Sequence, residues 1–555
     1  MKTRGLLYSS VLAMLFLIVA DIYGQQSQLG KVDFPTSGAP VAQSHFLRGI
    51  AALHSFWYEE ALDAFREASK ADPEFMMAYW GEAMAYNHPL WSEQDTASAR
   101  SVIAKIKESP KLTSRERDYL QTVRLLYGEG DKRTRDEKYS GAMEQLYQKY
   151  PDDLEAGAFY SLSLLGLVRS EEKSYRLQAK AGAIALDVYQ RNPNHPGAAH
   201  YIIHAFDDPE HAILALPAAR RYAGIAPEAH HARHMPSHIF LQLGMWPEAA
   251  ASNESAWEAS ENWMKRKKLS NSVRDYHSLH WLLYVYLQQG RYRKAEELLS
   301  LMKQTMTEST YDNKLRPGYY ENNYASMAAA FVVETERWAL ATKLFPLTAE
   351  TQVASTTAMN SHGAHGASQS VSTDSSATLR VSNRGHRLPK FVRDFAAVSA
   401  GPSDVYAQLP DTNIDSEGPR VIGEIEILTL KASVKGDHDN AIGFIKEAIK
   451  LEEKMGAPSG PPNVIKPSHE LFGEILLRAG KHEAASEQFR TALLRQPNRA
   501  RSLLGAARAA AKAGNDSEAA WFYGKLLAQW QQADEDLSEL REARSFLEKT
   551  KTSSR

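Results

Sequence analysis

The sequence predicts an all-α protein, a right-handed α-solenoid built from roughly ten helical hairpins. One observation is a spacing of small and aromatic residues that recurs in blocks long enough for two helices. The stretch HELFGEILLRAGKHEAASEQFRTALLRQP carries this spacing in full, at Gly473, Gly480, Ala485, Phe489, Ala492 and Pro497. The small residues allow two helices to approach closely, and the proline ends the second helix. A second observation is the length of 555 residues, which exceeds one compact core but suits an array that grows by adding repeats.

The other blocks follow the same spacing along the chain. The first has Gly49, Ala61, Phe65, Ala68 and Pro73. A glycine followed five residues later by alanine marks the turn of four more blocks, at Gly244 and Ala249, Gly290 and Ala295, Gly436 and Ala441, and Gly514 and Ala519. Weaker blocks lie around residues 79–86, 159–166, 193–212 and 323–345. Each hairpin is expected to bury its apolar face against its neighbours in the array.

This spacing resembles the tetratricopeptide repeat, a helix–turn–helix unit of about 34 residues. Five segments are also similar to a family of exported bacterial tetratricopeptide proteins, and the similarity covers nearly the whole mature chain. The segments are YWGEAMAYNHPLW, HPGAAHYIIHAFDDPEHA, HARHMPSHIF, YHSLHWLLYVYLQQGRY and HELFGEILL. The resemblance implies the fold and export of the chain, but it implies no particular reaction.

Composition divides the chain into five predicted segments. They are a signal peptide (1–24), an N-terminal repeat array (25–347), a flexible insertion or linker (348–416), a C-terminal repeat array (417–535) and a polar C-terminal helix or tail (536–555). The insertion is rich in Ser, Thr, Ala and Gly and has no helical apolar period in its core. Only PKFVRDFAAV, near its end, is expected to form a short helix.

The N-terminus has the pattern of an export signal. Lys2 and Arg4 precede the apolar run LLYSSVLAMLFLIVA, and cleavage is expected after Gly24. The mature protein is therefore predicted to be periplasmic or extracellular in a bacterium, without a transmembrane span; an uncleaved anchor is the alternative. The chain has no cysteine, which excludes disulfides, thiolate metal ligands and a lipid-anchored cysteine.

The charge balance argues against nucleic acid as a partner. Lys and Arg number 65 and Asp and Glu number 67, which gives a formal net charge of −2. A nucleic-acid-binding protein needs a basic surface that neutralises phosphates.

Two histidine pairs are the main functional signal. His200 and His204 form one pair, and His234 and His238 form the other. Both are spaced i, i+4, so on a helix both rings of a pair project from one face. The offset between the pairs equals one tetratricopeptide repeat of about 34 residues. Imidazoles without thiolates are typical ligands of a divalent transition metal such as zinc.

The tetratricopeptide resemblance implies that certain positions of the first helix in each hairpin face a concave groove. It places both histidine pairs there, and with them His231, His277, His280, Tyr284, Trp80, Glu426, Glu470 and Glu474. Glu470 and Glu474 form a carboxylate i, i+4 pair that can act as a general base. Asp207, Asp208 and His211 are expected to hold metal-bound imidazoles by their other ring nitrogen.

Three functions remain open from the sequence alone. The leading one is an exported repeat protein whose histidine-rich groove binds a peptide, a protein segment or a small ligand. The alternative is a metal-dependent, hydrolase-like enzyme with the two histidine pairs as ligands and Glu470 or Glu474 as base. The third is a structural scaffold of the cell envelope.

Overall fold

The computed structural model confirms the all-α helical-repeat fold. It describes residues 27–169, 174–308, 318–346, 376–401, 405–412, 420–434 and 438–553. The predicted signal peptide and residues 348–375 of the predicted insertion lie outside the described residues. Among the helices that are described, none is both long and apolar enough to cross a membrane.

The chain divides into two units. The first comprises Met1–Phe240 and Ala251–Lys267, and the second comprises Leu241–Ala250 and Lys268–Arg555. The helices of the first unit are α1 (Pro40–His54), α2 (Tyr58–Ala71), α3 (Met76–Met84), α4 (Thr96–Ile103), α5 (Ser114–Leu126), α6 (Lys132–Lys149), α7 (Leu154–Leu167), α8 (Arg176–Arg191), α9 (Pro196–Ala205), α10 (Ala212–Ile225) and α11 (His230–His234). Strands β1 (Asn87–His88) and β2 (Glu93–Gln94) form a small antiparallel hairpin between α3 and α4.

Two helices run across the division between the units, α12 (Pro236–Gln242) and α13 (Trp246–Lys267). The helices of the second unit are α14 (Tyr276–Gln288), α15 (Tyr292–Glu308), α16 (Tyr319–Thr335), α17 (Ala341–Leu344), α18 (Ser376–Ala400), α19 (Val421–Ser433), α20 (His438–Lys454), α21 (Ser468–Arg478), α22 (His482–Arg495), α23 (Ala500–Lys512), α24 (Asp516–Gln529) and α25 (Ser538–Ser553). Helix α25 occupies the segment that the sequence predicts to be a polar C-terminal helix.

Glycines allow neighbouring helices to pack closely, and two of them, Gly49 and Gly473, lie at predicted small positions. A Cβ atom added to Gly49 or Gly81 would lie 2.6 or 2.3 Å from the ring of Phe65. The same arrangement recurs in the second unit, where Cβ atoms at Gly473 and Gly505 would lie 2.8 and 2.3 Å from the ring of Phe489. In both units a buried phenylalanine therefore fills a space that two glycines leave open.

The Gly505→Ala substitution is expected to lower the free energy of unfolding by about 1–3 kcal/mol, because the new methyl group overlaps the Phe489 ring. Gly524→Ala is the matched control, since nothing lies within 4 Å of its added Cβ. That change should stabilise α24 by about 0.5–1 kcal/mol. Urea unfolding measures both, and equal effects would contradict this account of the packing.

The predicted insertion contains more helix than the sequence indicates. Helix α18 covers residues 376–400, and Leu388, Phe391, Val392 and Phe395 are buried in its second half. This spacing puts one apolar stripe on one face, which packs against α16 and α19. The division between the two units falls near residues 240–268, so helices on both sides of the predicted linker belong to the second unit.

Candidate metal centre

Helix α9 positions the first histidine pair, and its local sequence HPGAAHYIIHA explains how. The His195 side chain caps the helix, because its Nδ1 atom accepts a hydrogen bond from the Ala198 amide at 3.0 Å, and Pro196 occupies the first turn. A Cβ atom on Gly197 would lie 2.4 Å from Nδ1 of His54. This glycine therefore allows α9 to pack closely against α1.

His200 and His204 face each other on α9. The His200 Nδ1 atom donates a hydrogen bond to the carbonyl oxygen of His54 at 2.7 Å, and its Nε2 atom lies 3.1 Å from Nε2 of His204. His200 is fully buried, whereas His204 is partly exposed. The bond to the carbonyl fixes the proton of His200 on Nδ1 and leaves the Nε2 lone pair directed at His204.

His234 and His238 repeat this arrangement across a helix break. Pro236 has no amide hydrogen, so the predicted single helix is divided into α11 and α12. The Nδ1 atom of His234 donates to Oδ1 of Asn253 at 2.7 Å, and that of His238 donates to Oδ2 of Asp207 at 2.7 Å. The two Nε2 atoms lie 3.2 Å apart.

These four histidines and His231 form one cluster within the first unit, called here the five-histidine cluster. The donor atoms of His200, His204 and His231 all lie within 4.8 Å of one another. The His231 ring lies 5.1 Å from that of His200 and 5.9 Å from that of His234, measured between centroids. The His204 and His238 rings are likewise 5.9 Å apart.

Within each histidine pair, the distance between the two Nε2 atoms matches that between two ligands of one metal ion. Two nitrogens bound at about 2.0–2.1 Å to a tetrahedral zinc ion lie about 3.3 Å apart. In the His234–His238 pair both Nδ1 atoms donate to oxygen acceptors, so two lone pairs face each other across 3.2 Å. Like partial charges repel at this distance, and a cation between the two nitrogens removes the repulsion.

The surroundings of His200 keep its ring neutral. Burial lowers the pKa of His200 to about 3, despite the hydrogen bond to the His54 carbonyl. The ring of Phe56 packs 4.3 Å away and that of Tyr222 stacks 5.2 Å away, between centroids. Phe56 adopts a φ of 53°, in the left-handed region that a bulky residue rarely occupies. A neutral imidazole is the form that ligates a metal ion.

A group of buried polar residues contacts the five-histidine cluster through His54. Glu155 accepts hydrogen bonds from Nε2 of His54 at 2.6 Å and from Nε2 of His195 at 3.1 Å, and Nδ1 of His54 pairs with the Tyr201 hydroxyl at 2.8 Å. All four residues are fully buried. Burial raises the pKa of Glu155, but the two imidazoles outweigh it and hold that pKa well below its usual range.

In the buried group, unlike in the five-histidine cluster, a ring proton occupies a nitrogen that a metal ion would need. The group therefore supports the structure and does not bind metal. His195 accepts at Nδ1, so its proton is on Nε2, where it is donated to Glu155. This tautomer cannot use Nε2 as a metal ligand. The network holds α1, α7 and α9 together and thereby fixes the His54 carbonyl that orients His200.

The predicted general base Glu470 lies in an ion-pair network in the second unit. It is fully buried and accepts hydrogen bonds from Arg499 Nε at 2.8 Å, Ser502 Oγ at 2.7 Å and Lys466 Nζ at 3.0 Å. Although burial raises its pKa, Arg499 and Lys466 outweigh this effect and hold it well below its usual range. Such a carboxylate is a weak base. Glu474 also accepts from Lys466 Nζ, at 2.6 Å.

The residues predicted to line a ligand groove do not share one environment. Trp80 is fully buried among aromatic rings, and its Nε1 atom donates to Thr122 Oγ1 at 3.4 Å. Tyr284 is also buried, and its hydroxyl accepts from Arg499 Nη1 at 2.9 Å. Glu426 is buried beside Arg387 in an ion pair. None of these three side chains can form a surface for a ligand, because neighbouring helices cover them.

The remaining predicted residues are His277 and His280, which lie on α14 in the second unit and are half-buried. Of the predicted supporting carboxylates, Asp207 holds His238 of the second pair, whereas Asp208 accepts from His211 Nδ1 at 2.9 Å. Sequence reasoning did not identify His54, Glu155 or Asn253. Each stands alone in the sequence, and no spacing relates it to the histidine pairs.

Comparisons with known proteins leave the family open. No family model and no curated protein matches this sequence. Among solved structures, the chain is similar to the Cut9–Hcn1 assembly of the APC/C (11% identity, 97% of this chain and 82% of that chain, TM-score 0.34) and to the yeast Tom70 (10%, 92% and 89%, 0.27). It is also similar to the human IFIT1 dimer with m7Gppp-AAAA (13%, 93% and 94%, 0.34). These TM-scores are too low to assign a role or a superfamily. The helical-repeat fold is assigned from the helices and the glycine contacts described above.

Proposed function

We propose that this protein binds divalent transition metal ions through the five-histidine cluster. The observation that carries the proposal is the His234–His238 pair, whose Nε2 atoms face each other at 3.2 Å while both Nδ1 protons are held by oxygen acceptors. Metal-binding histidines characteristically donate their other ring N–H to a carboxylate or carbonyl in this way. His200 repeats the pattern with the His54 carbonyl.

The ligand chemistry favours a particular class of metal. Imidazole nitrogens suit zinc, copper, nickel and ferrous iron, whereas calcium and magnesium require oxygen ligands. The chain contains no cysteine, so soft thiolate ligation is excluded. Asp207 approaches the cluster through His238 and supplies a negative charge close to the bound ion.

The predicted peptide- or protein-binding groove and the predicted hydrolase receive less support from the site. A helical-repeat fold is compatible with binding a protein or peptide, but three predicted groove residues (Trp80, Tyr284 and Glu426) are buried. A hydrolase needs a general base, and Glu470 is committed to Arg499 and Lys466. Export to the periplasm or the medium forms part of our proposal and is supported by the basic and apolar pattern of the first 24 residues.

Elemental analysis of protein purified without a histidine tag tests the proposal. We expect near-stoichiometric transition metal in the wild type, and none in the variant His200→Ala, His204→Ala, His234→Ala, His238→Ala. The control variant His45→Ala, His482→Ala replaces two histidines outside the cluster and should keep its metal. A wild-type protein that stays free of metal after incubation with zinc, copper, nickel and ferrous ions would contradict the proposal.

Asp207→Asn is expected to weaken metal binding about 10- to 100-fold, because a neutral amide holds the His238 ring more weakly than a carboxylate does. Asp208→Asn is the matched control, since its carboxylate holds His211 instead. Competition with a chromophoric chelator measures both affinities. If the two variants lose affinity equally, Asp207 has no special role in orienting His238.

A further inference from the structure

We infer that the five-histidine cluster is a dinuclear centre, in which each histidine pair holds its own metal ion. The inference rests on the proposed function and adds the number of ions and the division of ligands between them. His200 and His204, with His231, would hold one ion. His234 and His238 would hold the second.

The number of donors points to more than one ion. A tetrahedral ion takes four ligands in all, and a catalytic or exchangeable site leaves one of them to water. The cluster offers five imidazoles. His234 and His238 belong to a separate set from the one formed by His200, His204 and His231, whose donor atoms all lie within 4.8 Å of one another. One ion at the centre of that set therefore leaves the second pair without a metal.

The ring positions also separate the first histidine pair from the second. Within the pairs, the centroids are 4.7 Å apart for His200 and His204, and 5.0 Å apart for His234 and His238. Between the pairs, His204 and His238 are 5.9 Å apart. The two rings within each pair thus lie closer together than the His204 and His238 rings do, as expected if each pair chelates a separate ion.

The supporting hydrogen bonds also come in two independent sets. The first pair is oriented by the His54 carbonyl on α1. The second is oriented by Asn253 on α13 and by Asp207, which follows α9. The two pairs are thus oriented by groups on different parts of the chain, so each pair can be held in a ligating geometry by itself. Two ions in adjacent positions would lie about 3.5–4 Å apart.

Zinc titration of chelator-treated protein tests the inference. We expect two zinc ions per chain in the wild type, one in His200→Ala, His204→Ala, and one in His234→Ala, His238→Ala. A wild type that binds one ion, together with pair variants that bind none, would overturn the dinuclear assignment and leave the proposed metal binding intact. A wild type that binds no zinc, copper, nickel or ferrous iron would overturn both.

A second measurement needs no variant and so does not depend on how the variants fold. X-ray absorption of the wild type loaded with zinc to saturation should show a metal–metal distance of about 3.5–4 Å and a shell of imidazole nitrogens. Saturated protein with the nitrogen shell but no neighbouring metal would overturn the inference. Far-UV circular dichroism establishes that each pair variant keeps its helices before its zinc content is compared.

Discussion

Replacement of Arg499 by methionine is expected to lower the free energy of unfolding by about 3–5 kcal/mol. The guanidinium is 1% exposed and pairs with Glu470 at 2.8 Å and Glu334 at 2.6 Å. It also donates to the Tyr284 hydroxyl at 2.9 Å. Methionine fills a similar volume but leaves two carboxylates buried without their shared cation. Burial already raises the pKa of Glu334 even with Arg499 in place.

The control for this prediction is Arg490→Met. Arg490 is half exposed and forms an ion pair with Glu518, and such pairs at the surface contribute about 0–1 kcal/mol. Urea unfolding followed by circular dichroism compares the two variants. A loss for Arg499→Met no larger than that for Arg490→Met would show that the buried network does not stabilise the second unit.

Replacement of Glu155 by leucine is expected to cost roughly 2–6 kcal/mol, taking 1–3 kcal/mol for each buried donor that loses its acceptor. Those donors are the Nε2–H groups of His54 and His195, at 2.6 and 3.1 Å from the carboxylate. The change should also weaken metal binding, since His54 then no longer holds its carbonyl firmly against His200.

Glu144→Leu is the control for Glu155→Leu. Its carboxylate is 40% exposed and accepts from Tyr160 and Lys180, so we expect a loss below about 1 kcal/mol. Thermal unfolding and zinc affinity are measured for both variants. Full zinc affinity in a folded Glu155→Leu protein would show that the buried network does not support the proposed metal centre.

The repeat spacing was sufficient to predict the helical hairpins. This succeeds because small residues such as Gly49 and Gly473 have a local cause, the close approach of two helices. The repeat pattern could not predict which helix faces remain exposed. Trp80 and Glu470 occupy positions that the resemblance assigns to a groove, yet other helices of their own units cover them.

Contacts between distant parts of the chain could not be predicted from the sequence. Asp207 follows the first pair along the chain but holds His238 of the second pair. Likewise, the supporting group joins His54, Glu155 and His195 from three separate helices. Spacing along one helix carries no information about such partners.

The bond between the His54 carbonyl and His200 has a consequence for how the protein folds. It joins positions 146 residues apart, in an array whose other contacts are mainly between successive helices. Contacts between distant residues carry a larger loop-closure entropy and form more slowly than local ones. The proposed metal centre is therefore expected to form late, after α9 docks on α1, so a metal ion would stabilise the completed first unit and would not nucleate it.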